Sequence, residues 1–162
     1  MKLWQKSITA WSEVETFTVG RDQEMDLYLA PFDIMGSLAH IEMLCSIGLL
    51  EKEEYSALAA ALRQLYKDAI AGNFVIEEGV EDVHSQVEML LTRTLGDMGK
   101  KIHSGRSRND QVLVDLRLFL RAEIEALSIQ IGELFAVLQT LSEKHKEVLL
   151  PGYTHLQVAM VS

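Results

Sequence analysis

From Lys100 to Gln111 the chain reads Lys-Lys-Ile-His-Ser-Gly-Arg-Ser-Arg-Asn-Asp-Gln. No acid lies between Asp97 and Asp110, although the whole chain carries a formal net charge of −9. Lys100, Lys101, Arg106 and Arg108 all fall inside that gap. A long helical pattern begins directly afterwards. Guanidinium groups and hydroxyls are therefore gathered at a helix N-terminus, where free N–H groups and the helix dipole also favour negative charge. The chemistry this suits is binding of a carboxylate or a phosphate, and Gly105 allows the backbone to come close to such a ligand. Two structural readings stand beside it. Asn109 or Asp110 is placed to cap the helix, and the arginines could be bridged to acids such as Asp97.

Two other groups of residues have chemical potential. Thr154-His155-Leu156-Gln157 follows Pro151-Gly152-Tyr153, so His155 sits on a turn from which an imidazole could reach a cleft and move a proton near neutrality. Glu81-Asp82-Val83-His84-Ser85 opens a helical pattern: the acids suit a helix N-terminus, and His84 either packs there or pairs with Asp82 near a substrate. The remaining histidines have plainer settings. His40 falls within an apolar helix as a satisfied core residue, His103 either belongs to the cation cluster or supports it, and His145 lies between two lysines near a helix C-terminus. No pair of His or Cys has metal-ligand spacing, so no metal is expected.

The elements that must position these groups are helices. Residues 1–20 lack periodicity, and Trp4 and Trp11 are expected to pin this arm to a surface. A helical pattern starts at Glu24, and Pro31 is suited to stop one helix and start the next. Phe32 to Leu50 is apolar all round, as in a buried helix. Glu51 to Ala71 forms the next helix, stopped by Gly72-Asn73, and Glu81 to Leu95 a fourth. From Asn109 to Val148 there is no Pro and a single Gly. Leu120, Ile124, Leu127, Ile131, Leu134, Leu138 and Leu141 alternate steps of four and three, the seam of a left-handed bundle. Such a helix would span roughly 60 Å at 1.5 Å per residue, against a radius of gyration of about 15 Å for a compact chain of this length. An oligomeric helix bundle answers both the length and the seam, and a straight helix shielded by residues 24–95 is the alternative. A second helix is expected near Leu156, and no strand signal stands out.

The bulk properties agree with a soluble helical domain. The chain has 162 residues, is 48% apolar and contains two Pro. Its acidic balance argues against a nucleic-acid partner. Its single Cys45 suits a reducing cytosol and apolar packing. No apolar run is read as long enough to cross a membrane.

Taken together, Glu81–Ser85, Gly99–Gln111 and Pro151–Gln157 resemble the argininosuccinate lyase family of the fumarase/aspartase superfamily. Asp33-Ile34-Met35-Gly36-Ser37 and Leu3-Trp4 are similar to it too, so the likeness runs over nearly the whole chain in order. The resemblance implies an all-α fold, with an N-terminal helical domain at 1–108 and the start of a central helix-bundle domain at 109–162. It implies a cytoplasmic homotetramer that shares its active sites between subunits and cleaves argininosuccinate to arginine and fumarate without a cofactor. By this likeness His155 is the catalytic histidine, acting beside a serine base. Asn109, Thr154, Arg108, Ser107, Arg106, Gln157 and His84 are expected to bind substrate. The family's mobile Gly-Ser-Ser loop has no match here, so the chain is expected to be an N-terminal piece of a longer protein, inactive alone. The family's Gly-Gly-Arg-Phe is replaced by Gln5-Lys6-Ser7, and Val161 stands where proline is common. A related fumarate-releasing lyase and a non-catalytic helical scaffold are the alternatives.

Overall fold

The computed structural model describes Phe17 and residues 20–161; Leu3, Trp4 and Trp11 lie outside them. The order is α1 (Asp22–Asp26), α2 (Ala30–Ser46), α3 (Lys52–Ile70), α4 (Val83–Leu95), α5 (Asp97–Lys100), a 3-10 turn (Lys101–His103), α6 (Arg108–His145), β1 (Pro151–Thr154) and β2 (Gln157–Val161). The chain divides into two compact units, Met1–Leu120 and Arg121–Ser162, with residues 108–120 of α6 in the first.

In the first unit α2, α3 and α4 pack around one core that includes Ile34, Ile41, Leu44, Leu58, Leu62 and Leu91. Pro31 occupies the first turn of α2, where its missing N–H costs nothing. Ile34, Ser37, Ile41 and Leu44 then fall at steps of three and four, so one stripe of α2 faces the core. The expectation of a helix buried all round is corrected: Met43, Ile47 and Leu49 are exposed, because α3 and α4 cover only that stripe. The helix also ends earlier than expected. Gly48 at φ +77° turns the chain, and the Leu49 N–H bonds back to the Leu44 carbonyl at 2.9 Å. The same device closes α3, where Gly72 has φ +74° and the Asn73 N–H reaches the Asp68 carbonyl at 2.8 Å.

Two local features place the cation-rich loop. Asp82 caps α4 by accepting the Ser85 N–H at 2.8 Å. Gly99 in α5 lies so close to α4 that a Cβ there would stand 2.5 Å from backbone atoms of Leu91 and Thr92. The loop therefore leaves α5 hard against α4, and only glycine permits that approach.

α6 is one helix of 38 residues, about 57 Å at 1.5 Å per residue. Within the first unit Gln111 and Asp115 are its buried residues, and Phe119 stacks edge-on against Phe32 at 5.9 Å between ring centroids. From Leu120 to Leu141 every seam residue is exposed, with Ile124 at 61% and Leu134 at 60%. The expectation concerning membrane-crossing length also needs correction. Although charges interrupt every long apolar run, α6 is long and apolar enough, by length and composition alone, to span a bilayer.

The second unit ends in a β-hairpin rather than the expected helix. Pro151–Thr154 pairs antiparallel with Gln157–Val161, and Thr154 faces Gln157 across the turn. His155 at φ 47° and Leu156 at φ 63° are the two turn residues, both left-handed as a type I′ turn requires. Val158 and Val161, β-branched and separated from the long helix by Pro151, favour extended backbone over a new helical turn.

Candidate anion-binding site

The N-terminus of α6 is capped reciprocally. The Ser107 N–H donates to Asp110 Oδ2 at 2.7 Å, and Ser107 Oγ accepts the Asp110 N–H at 3.3 Å. Ser107 is thus the capping residue, in place of Asn109 or Asp110, because its hydroxyl reaches the third helical N–H while Asp110 reaches back. This arrangement, led by the Ser107 N–H and then its side chain, holds the Asp110 carboxyl below its ordinary range. Asn109 is exposed at the second helical position, and its amide has no hydrogen-bond partner among the described residues.

The four cations expected to act together separate into two groups. Lys100 pairs with Asp97 at 2.7 Å, and Lys101 pairs with Glu54. Lys100 meets the acid three residues before it, and Lys101, in the 3-10 turn, meets Glu54 of α3, a contact invisible from spacing. The arginines remain. Arg106 Nη2 donates to Ser37 Oγ at 2.9 Å, while its buried Nε has no partner. Arg108 Nη1 lies 2.7 Å from Asp82 Oδ2 and 3.8 Å from Glu81 Oε2, and its Nη2 donates to Ser85 Oγ at 3.1 Å. The bridging acids are those opening α4, not Asp97. Arg106 and Arg108 line a cavity of about 10 Å³ together with His84, Ser37, Gln111 and His103. A more open hollow of about 360 Å³, lined by Arg106, His40, Gly36, Met43, Gln111 and Val114, adjoins the same helix start. His40 is half-buried rather than a core residue; its Nε2 lies 2.8 Å from the Ser104 carbonyl and ties the loop to α2.

Behind the cavity sits a cluster that sequence spacing concealed. His84 Nδ1 is 2.8 Å from Asp33 Oδ1 and 3.8 Å from Asp115 Oδ2, so the partner of His84 is Asp33 on α2 rather than Asp82. Asp33 is 1% and Asp115 0% exposed. Gln111 Nε2 donates to the same Asp33 oxygen at 3.3 Å. Asp33 Oδ2 and both Asp115 oxygens lack hydrogen-bond partners. Burial and the neighbouring Asp33 charge push the Asp115 carboxyl up to about 7, against the opposing pull of His84 and Arg106. Burial also lowers His84, but its bond to Asp33 and the charges of Asp33, Asp82 and Asp115 outweigh this and set it above its ordinary value. Burial lowers Arg106, opposed by Asp33 and Asp115. Asp33, His84 and Asp115 offer ligand atoms within 4.8 Å of one another, the only such metal-competent group among the described residues. They come from α2, α4 and α6, which is why no short motif revealed them. The one local signal for Asp33 is its place as an acid within an apolar helix.

The first unit therefore brings together Arg106, Arg108 and His84 beside Ser107 and Asn109. In the second unit His155 lies on the hairpin turn and Thr154 and Gln157 pair across it, all three exposed.

A family profile described as lyase matches residues 10–162. The chain is 64% identical to an argininosuccinate lyase of Parabacteroides distasonis over 161 residues, covering 99% of this chain and 36% of that protein. It is 63% identical, with the same coverage, to an argininosuccinate lyase of Bacteroides fragilis. A protein of the same name from Hahella chejuensis is 41% identical over 160 residues, 98% of this chain and 34% of its own length. The chain thus spans about a third of the curated relatives it matches.

Proposed function

The chain belongs to the lyase family, and from that premise we propose that the complete protein is an argininosuccinate lyase, which eliminates fumarate from argininosuccinate and releases arginine. One observation carries this reading. In an acidic chain, two arginines and a histidine surround a cavity at a helix N-terminus, within a sequence more than 60% identical to argininosuccinate lyases along nearly all its length. The substrate is rich in carboxylates, and such a site suits them.

Elimination begins when a base removes a weakly acidic proton from the succinyl carbon beside a carboxylate. The electron pair left behind builds a second negative charge next to that carboxylate. As the double bond of fumarate forms, the C–N bond breaks, its electrons go to the departing nitrogen, and an acid supplies the proton that completes arginine. Fixed cations lower the barrier where negative charge develops. Arg106, Arg108 and His84 supply positive charge, and Asn109 offers an uncommitted amide. For Arg108, binding of substrate requires exchange of a carboxylate of Asp82 for one of substrate. His155 serves proton transfer, with Thr154 and Gln157 holding substrate beside it.

The exposed seam of α6 supports a homotetramer in which each active site draws on several subunits. Its regular steps of three and four are those of a bundle, since helix partners need such a stripe and lipid does not. The proposal extends to a place in arginine biosynthesis and to the cytoplasm. Absorbance assay of fumarate release by the complete protein, with argininosuccinate and adenylosuccinate offered separately, tests the reading. Release from argininosuccinate alone supports it; release from neither by a folded tetramer refutes it in favour of a helical scaffold.

A further inference from the structure

Given the lyase reading, the way His84 is held bears on how substrate is bound. Its ring has two nitrogens with different surroundings. Nδ1 is committed at 2.8 Å to Asp33, whose carboxylate is itself anchored by Gln111 from α6. Nε2 is therefore the nitrogen left for the cavity that His84 lines with Arg106 and Arg108. A histidine whose Nδ1–H is bound by a carboxylate has its tautomer and ring orientation set by that bond.

We propose that Asp33 is a positioning residue of the lyase: by binding His84 Nδ1 it aims Nε2–H at the cavity and retains the ring as a cationic donor to a substrate carboxylate, with Asp115 reinforcing the hold through its charge. The surroundings make this an electrostatic arrangement as well as a steric one. Acids face His84 from α1 (Asp26), α2 (Asp33), its own helix cap (Asp82) and α6 (Asp115). Arg106 and Arg108 line the cavity beyond, with Glu88 of α4 and His103 of the 3-10 turn on its wall. Asp33 and Asp115 are both interior, so their influence is little screened by water or salt. The upward direction of the His84 titration accords with this geometry. The rival use of the cluster is a divalent cation shared by Asp33, His84 and Asp115. The 2.8 Å contact between His84 and Asp33 is a hydrogen bond, and Arg106 already supplies counter-charge, so the positioning role fits better.

The test compares wild type, Asp33→Asn, Asp115→Asn and His84→Gln. In the complete protein, kcat/KM for argininosuccinate is measured against pH. In the 162-residue chain, the ring titration of His84 is followed by NMR with carbon-13 histidine. Asp33→Asn is expected to move the His84 titration and the alkaline limb of kcat/KM to lower pH by about one unit, tenfold in proton affinity, with KM raised more than kcat is lowered. Asp115→Asn should shift both in the same direction by less, and it carries the test if Asp33→Asn does not fold. His84→Gln should remove that limb. Unmoved titration and profile in these variants, with only thermal stability lost, would overturn the proposal. So would displacement of the His84 resonances by micromolar Mn2+ or Zn2+, which would assign the cluster to a metal. If wild type does not cleave argininosuccinate, the lyase reading falls, while the His84 titration still decides what Asp33 does.

Discussion

Asp115→Asn should stabilise the chain, and by an amount that depends on pH. Asp115 is fully buried on α6, neither of its oxygens has a hydrogen-bond partner, and Asp33 lies beside it. Its carboxyl titrates at about 7 when folded, against an ordinary value of 3.8. The folded chain therefore binds more protons than the unfolded chain between those two pH values, and its stability falls as pH rises through that window. The difference of about three pH units, at roughly 1.4 kcal/mol each, amounts to about 4 kcal/mol once pH exceeds both values. At pH 5, only a little above the unfolded value, the penalty is about 2 kcal/mol. Asparagine has the same shape and no charge, so it removes this dependence. Urea unfolding followed by circular dichroism, for wild type and variant at pH 5 and pH 8, should show the variant's advantage growing by about 2 kcal/mol or more at the higher pH. An advantage that is constant with pH, or that grows on acidification, would refute the reasoning. It would mean that Asp115 is ionised in the fold and held by its cationic neighbours.

Gly99→Ala should cost about 1–3 kcal/mol in urea unfolding, because its Cβ would stand 2.5 Å from the backbone of α4 and one helix must shift. Ser107→Ala removes the acceptor for the Asp110 N–H and should lower stability by about 1 kcal/mol, measured by thermal unfolding; an unchanged midpoint would deny the cap any energetic role. In the complete protein, His155→Ala should abolish fumarate release with helix content unchanged by circular dichroism, since the side chain stands exposed on a turn. Leu134→Glu on the seam of α6 should shift the complete protein toward smaller oligomers in light scattering, while an intact tetramer would remove the seam from the interface.

Much of the helical framework was legible in the residues themselves. Pro31 and Gly72 ended or began helices where their backbone constraints act, and the long periodic stretch became a single helix within one residue of its expected start. Such signals are local: a fixed φ, a missing N–H or a repeat of three and four does its work within a few residues. The hairpin was not legible, because Thr154-His155-Leu156-Gln157 lacks the Asn-Gly pair that marks such a turn, and its strands are only four and five residues long.

The site divides along the same line. The composition and spacing of Gly105 to Asp110 by themselves determined that cations gather at a helix N-terminus, since the charge of a side chain and the polarity of a helix are properties of the local chain. Which cations stay at the cavity was decided by tertiary structure. Lys100 is taken by Asp97 and Lys101 by Glu54 of α3, whereas Arg106, which reaches Ser37 of α2, and Arg108, paired with Asp82, line the cavity. The Asp33–His84–Asp115 cluster belongs wholly to that second category. Its members lie on three helices that core packing draws together, and their altered proton affinities arise from burial and mutual charge, neither of which exists until the chain has folded.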